Sequence, residues 1–223
     1  MPRAARIVVP DVPHHVVQRG NRRAAIFFSD HDRRQYLAML AESCTLHAVR
    51  CLAWCLMDNH VHLVLVPSSA DALRAVMAST HTRYAQRINR ALDLSGHLFQ
   101  GRFASYVMDD AHLMVAVRYV ENNPVKAGLV DRAEHWPWSS ARAHLHLEDD
   151  GLTDVATLGR HVANWCAYLE AGVEATDRDD AIEAALRSGR PLGAAAWSAQ
   201  FAAPAAPRGR RWRLPALLGT VPN

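Results

Sequence analysis

Two histidines one residue apart, His60 and His62, open an otherwise apolar run, Asn59-His60-Val61-His62-Leu63-Val64-Leu65. In an extended strand alternate side chains share a face, so both imidazoles point the same way while Val61, Leu63 and Leu65 pack on the other. Two imidazoles at that spacing can share a divalent cation. An isolated His-x-His more often marks the exposed start of a strand. Here the run beyond it is apolar on both faces, as in a central strand, which brings the pair out on a working surface.

The second chemical feature is Arg118-Tyr119-Val120-Glu121-Asn122-Asn123-Pro124. On a helix, Tyr119 and Asn123 lie one turn apart on one face. A phenol with a pKa of about 10 needs help to attack at neutral pH. A cation on a target phosphate supplies charge neutralisation and orientation, and an amide oxygen from Asn123 can complete its shell. Taken alone, a tyrosine near a helix end is usually a packing residue.

Three basic segments could hold nucleic acid. Gln18-Arg19-Gly20-Asn21-Arg22-Arg23 offers Arg19, Asn21, Arg22 and Arg23 to phosphates or bases, with a glycine for close backbone approach. Gly96-His97-Leu98-Phe99-Gln100-Gly101-Arg102-Phe103 mixes aromatics with Arg102. Near the C-terminus, Arg210 and Arg211 precede Trp212, so that cations and a stacking ring stand together. A solvated loop or tail explains the first and third equally well, and the second by itself says only that the loop is ordered.

The elements that must position these residues follow from periodicity and punctuation. Pro13 to Arg19 reads as a strand that ends at Gly20-Asn21, and a helix capped by Asp30 or Asp32 runs to about His47. Arg50 to Leu56 and His60 to Val66 form a hairpin across Met57-Asp58-Asn59. A helix from Asp71 to about Arg90, a strand from Arg102 to Met108 and a helix capped by Asp109 or Asp110 complete the pattern, the last stopping before Pro124. This order predicts an α+β, ferredoxin-like antiparallel sheet covered by helices over residues 1–135. Alanine-rich stretches predict a helical extension over 136–201, and Pro, Ala and Arg mark 202–223 as a basic flexible tail.

Composition narrows the class. No apolar run approaches the roughly 18 residues that span a bilayer, and Ile7-Val-Val-Pro10 is too short for a secretory core, so the expected compartment is the cytoplasm. A net charge of +3 permits nucleic acid as a partner without demanding it. Cys44, Cys51, Cys55 and Cys166 form no disulfide framework. Cys51 and Cys55 before His60 and His62 superficially suggest zinc, but there is no Cys-x-x-Cys knuckle, and Cys51, Ala53 and Cys55 alternate like buried strand residues.

Six segments in order resemble the HUH single-tyrosine (IS200-like) transposases, in particular the REP-associated tyrosine transposases. They are HHVVQRGNRR at 14–23, AIFF at 25–28, MDNHVHLVL at 57–65, GHLFQGRF at 96–103, RYVENNPVKAGLV at 118–130 and WPWSS at 136–140. Ser188-Gly-Arg-Pro-Leu-Gly193 resembles the tail of part of that group. The resemblance implies that His60 and His62 bind Mg²⁺ or Mn²⁺, that Asn123 completes the metal site and that Tyr119 is the nucleophile. It further implies cleavage of single-stranded DNA carrying a foldback hairpin, such as a REP-like palindrome, through a 5′-phosphotyrosine link. The acting unit would be a monomer or homodimer with no membrane partner. Asp58 stands where proline often precedes the Asn-His pair, and is expected to place an extra carboxylate near the cation. Glu121-Asn122 also departs from the family pattern. The alternatives are a catalytically silent DNA-hairpin-binding regulator on the same fold, and a zinc-stabilised interaction module.

Overall fold

The computed structural model describes residues 6–159, 161–171 and 176–201; Arg210, Arg211 and the rest of the expected tail over 202–223 lie outside the described residues. Four strands, β1 (His14–Arg19), β2 (Val49–Met57), β3 (His60–Pro67) and β4 (Ala104–Val107), form one antiparallel sheet in the order β2-β3-β1-β4. The two outer strands flank a central pair that is not consecutive in sequence. That crossover is the ferredoxin-like α+β plan.

Each face of the sheet has its own helical cover. Helices α1 (Asp30–Leu46) and α2 (Ala72–Leu92) cover one face, where Tyr36, Leu40, Leu73, Met77 and Tyr84 pack on Val16, Val61, Leu63 and Leu65. Helix α1 starts at Ser29, not at either aspartate. Ser29 has extended dihedrals and its hydroxyl accepts from Asp32 N, while Asp32 Oδ2 accepts in return from Phe28 N at 3.3 Å and Ser29 Oγ at 2.8 Å. The aspartate thus acts at the third helical position of a reciprocal cap.

The β2–β3 hairpin pairs Met57 with His60 across a two-residue turn. Its register shifts between Cys51 and Ala53, a bulge that re-aims the strand. Cys51 therefore joins the α1/α2 core and Cys55 the opposite one, so the expected alternation of Cys51, Ala53 and Cys55 breaks at its first step. The two thiols cannot converge on a shared zinc with the histidines.

On the other face lies α3 (Asp110–Glu121), whose cap Asp109 accepts from His112 N at 3.0 Å. The helix breaks at Asn122 and resumes as the single turn α4 (Asn123–Lys126). Pro124 causes the break, having no N–H for the carbonyl four residues back and a ring that crowds it. Tyr119 and Asn123 thus sit on consecutive segments, where one helix was expected. Beyond them run α5 (Ala141–His146), α6 (Val155–Gly159), α7 (Trp165–Glu170), α8 (Thr176–Ser188) and α9 (Ala195–Ala199).

Leu158, Trp165, Leu169, Ile182 and Ala185 from this extension share a core with Ala116, Val117 and Val120 of α3. The apolar core of this face therefore runs across position 135. Glu121, fully buried, fastens the junction: its carboxyl accepts from Ser140 Oγ at 2.6 Å and Trp165 Nε1 at 2.8 Å and lies 2.7 Å from His144 Nδ1. Asn122 adds a bond from Nδ2 to Leu169 O at 2.8 Å. The two residues that depart from the family pattern are those that dock the extension. Among the described residues no helix is long and apolar enough to cross a membrane.

Candidate active site

The α3 face of the sheet carries an unusual concentration of polar rings. Register places Val17 of β1 opposite His62 and Arg19 opposite His60, so His15, Val17 and Arg19 share the face of His60 and His62. The two histidine rings lie 4.8 Å apart between centroids. Tyr119 descends from α3 onto the same patch, its ring 5.7 Å from His62 and 5.9 Å from His15. Asn123 stands close enough to both His60 and Tyr119 to act on their ionisation, raising the pKa of the first and lowering that of the second. The structure therefore brings His60, His62, Tyr119 and Asn123 into one constellation.

Each histidine has one nitrogen already engaged. His60 Nδ1 lies 2.6 Å from Asn59 Oδ1, and His62 Nδ1 lies 2.9 Å from His15 Nε2. His15 Nδ1 continues the chain to the Tyr106 hydroxyl at 3.1 Å. This leaves the two Nε2 atoms as coordinating nitrogens, with rings fixed by the partners of the other nitrogen. Burial pushes the His60 pKa down to about 4, helped by Arg19 and opposed by Asn123. Burial, then His15, His60 and Arg19, hold that of His62 well below its ordinary value. Both rings are thus neutral at physiological pH, as metal binding requires.

Two imidazoles and an amide suit a hard or borderline divalent cation that keeps positions open for phosphate oxygens and water. Among the described residues no three His, Cys, Asp or Glu side chains gather into a closed metal cage, so such a cation would depend on Asn123 and on substrate. Asp58 does not take part. Its carboxylate pairs with Arg33 and its carbonyl accepts from Ile26 N and Phe27 N, which turns the residue towards the α1 side of the hairpin. The extra carboxylate expected near the cation is absent.

Tyr119 lines a cleft of about 740 Å³ together with His62, Arg19, Arg102, Glu183 and Arg187. Burial, then Glu183 and Asp179 of α8, push its pKa up to about 12, against the smaller pull of Asn123 and Arg19. Lys126 sits above the phenol ring, 5.0 Å from its centroid, and pairs with Asp179. Of the expected nucleic-acid contacts, Arg19 and Arg102 reach this cleft. Asn21 lines a neighbouring one with His81, Phe99 and Asn89, and Arg22 and Arg23 are exposed on a 3-10 turn with φ of 54° and 62°. Gly20 serves its own chain and not a phosphate: a Cβ there would meet Ala24 O at 2.1 Å.

Sequence reasoning missed His15, Lys126 and the acidic face of α8. The His14-His15 doublet was a visible signal, but only the pairing register shows that His15, and not His14, stands beside His62. His14 turns to the other face, its Nδ1 2.8 Å from Val12 O and its Nε2 accepting from Val9 N. Two further tyrosines are tied down as structural groups: Tyr84 donates to Ile26 O at 2.7 Å, and Tyr106, fully buried, lies 3.1 Å from His15 Nδ1.

Comparison with known proteins gives a family and a fold. The family model described as "Transposase IS200 like" matches residues 8–123, just over half of the chain. A curated relative from Haemophilus influenzae, provisionally named a REP-associated tyrosine transposase, is 25% identical over 132 residues, covering 52% of this chain and 75% of the relative. Among solved structures, a REP-associated tyrosine transposase bound to a REP hairpin superposes with a TM-score of 0.53 at 18% identity. That match covers 70% of this chain and 90% of the other, and at such identity it speaks for the fold alone.

Proposed function

This chain belongs to the IS200-like transposase family, and on that premise we propose that it is a metal-dependent, single-tyrosine transesterase acting on single-stranded DNA that carries a foldback hairpin. The observation that carries the reading is the convergence of Tyr119 and the His60–His62 pair on one sheet face, with Asn123 beside both. A hairpin substrate is in keeping with the REP hairpin held by the solved relative.

His60, His62 and Asn123 would hold the cation, Mg²⁺ or Mn²⁺, which supplies charge neutralisation at the scissile phosphate. His15 keeps the His62 ring in place, and Asn123 beside Tyr119 favours the ionised phenol. Arg19 and Arg102 line the approach to the phenol and present positive charge to the DNA backbone. Tyr119 Oη attacks phosphorus in line, forming a phosphotyrosine bond to the 5′ side as the bond to the 3′-oxygen breaks. The phenol proton leaves to solvent and the departing oxygen takes one up, yielding a 3′-OH. The stored phosphodiester lets a 3′-OH reverse the step and join strands without a nucleotide cofactor.

The test is covalent adduct formation with hairpin oligonucleotides under Mg²⁺, Mn²⁺ and EDTA. The expected result is an adduct with either metal and none in EDTA, lost in His60→Ala and His62→Ala proteins that still bind the hairpin. Undiminished adduct in EDTA would defeat the metal assignment. Hairpin binding without adduct under every condition would favour the non-catalytic regulator.

A further inference from the structure

Lys126 is the only lysine of the chain, and its ammonium lies 5.0 Å from the centroid of the Tyr119 ring. Its counter-ion, Asp179, belongs to α8 and not to the sheet or to α3. The pair lies at the rim of the fold: Lys126 is an exposed residue, while the two side chains cover each other to 22% and 24% exposure. Asp179 and Glu183 are also the two carboxylates whose charge falls on the Tyr119 hydroxyl. The structure thus sets a cation over the ring of the residue that would attack phosphate and two carboxylates near enough to act on its hydroxyl.

An anionic substrate that passes Arg19 and Arg102 meets these carboxylates at the phenol. For Tyr119 Oη to attack, phosphorus must approach to roughly 3–3.5 Å, which brings its non-bridging oxygens within reach of a four-carbon ammonium side chain anchored above the same ring. A phosphate there would meet Asp179 and Glu183 of α8; Glu183 is already paired at 3.2 Å with Arg187, which lines the same cleft, so Asp179 is the carboxylate whose partner stands over the phenol ring. That partner, Lys126, is the cation placed over the phenol to meet the phosphate.

Resting on the transesterase reading above, we infer that Lys126 is a catalytic residue of this site. It exchanges its ion pair with Asp179 for a non-bridging oxygen of the scissile phosphate and stabilises the charge that builds there during attack. Asp179 then acts as a stand-in for the phosphate, occupying the lysine until DNA displaces it. The bonds made and broken at phosphorus remain those already described; the lysine changes its anionic partner and transfers no proton.

The experiment is single-turnover adduct formation on the full chain with saturating hairpin oligonucleotide, comparing wild type, Lys126→Met, Lys126→Arg, Asp179→Asn and Tyr119→Phe. Losing one transition-state cation should slow Lys126→Met about 100-fold, with hairpin affinity nearly unchanged and Lys126→Arg recovering most of the rate. Asp179→Asn breaks the same ion pair, so a lysine that merely tethers α8 would make it fail as Lys126→Met does. On the present account its rate holds or rises, and the opposite signs separate catalysis from folding. A wild-type rate in Lys126→Met, or an equal loss in Asp179→Asn, overturns the inference while leaving Tyr119 as nucleophile. An adduct that survives Tyr119→Phe overturns the transesterase reading and this inference with it.

Discussion

The two faces of the sheet use the same strands for opposite purposes. Against α1 and α2, the inward residues Val16, Val61, Leu63 and Leu65 are fully buried among apolar partners. One residue along each strand, the α3 face carries His15, His60, His62 and Tyr106, linked ring to ring and met by Tyr119 from above. Alternation along a strand makes this possible, because a strand can commit one side to cohesion while the other side is polar. The polar face remains ordered because its nitrogens and hydroxyls satisfy one another, and a half-satisfied network would be worse than an apolar one.

That contrast predicts separable failures. The largest effect expected from a residue that does not touch substrate is at His15. Its bond to His62 Nδ1 fixes the ring that would hold metal, and loss of such an orienting partner typically costs 10–100-fold in metal affinity or activity. His15→Phe should therefore raise the Mn²⁺ concentration needed for half-maximal adduct by about 10–100-fold and leave hairpin binding intact. An unchanged metal requirement would remove His15 from the site.

On the apolar face the reverse pattern should appear. Leu63→Ala should cost about 3 kcal/mol of unfolding free energy, read by urea denaturation, with the adduct rate of the folded fraction unchanged. A specific loss of rate without a loss of stability would mean that the two faces are not independent.

The smallest effect concerns pH. Burial pushes His14 down to about 4 and His81 down to about 3, while in an unfolded chain each titrates near 6.5. Both are neutral in the fold, and His14 must be so in order to accept from Val9 N. Below about 6.5 the unfolded state binds protons that the folded state refuses, so stability is lost progressively as the pH falls towards 4. Above pH 7 neither group contributes a slope. Melting temperature should fall between pH 6.5 and 5, less steeply in His14→Gln, and an identical slope in that variant would exclude His14 as a source.

Much of this architecture was legible in the sequence because it is local. The β2–β3 hairpin declares itself by alternation around a short polar turn, and His60 and His62 share a face whatever lies beside them. What escaped was set by neighbours distant in the chain. The role of His15 depends on Val17 standing opposite His62, which no periodicity within His14–Arg19 reveals. Asp58 looked like a potential ligand beside the histidines, but Arg33, 25 residues earlier, draws it away. Glu121 and Asn122 looked like departures from a pattern and prove to be the sockets for Trp165, His144 and Leu169. The bulge at Cys51 shows the same limit from the other side, since a one-residue shift in pairing reassigns a side chain to the opposite core.

The central claim is that Tyr119 forms the bond to DNA. It is tested most directly by trapping the covalent adduct, digesting it and locating the modified peptide by mass. The account predicts modification in the peptide containing Tyr119, and no adduct from Tyr119→Phe, which removes one oxygen and should preserve folding and hairpin binding. A modified peptide containing Tyr106 or Tyr84, or a full-strength adduct from Tyr119→Phe, would contradict it.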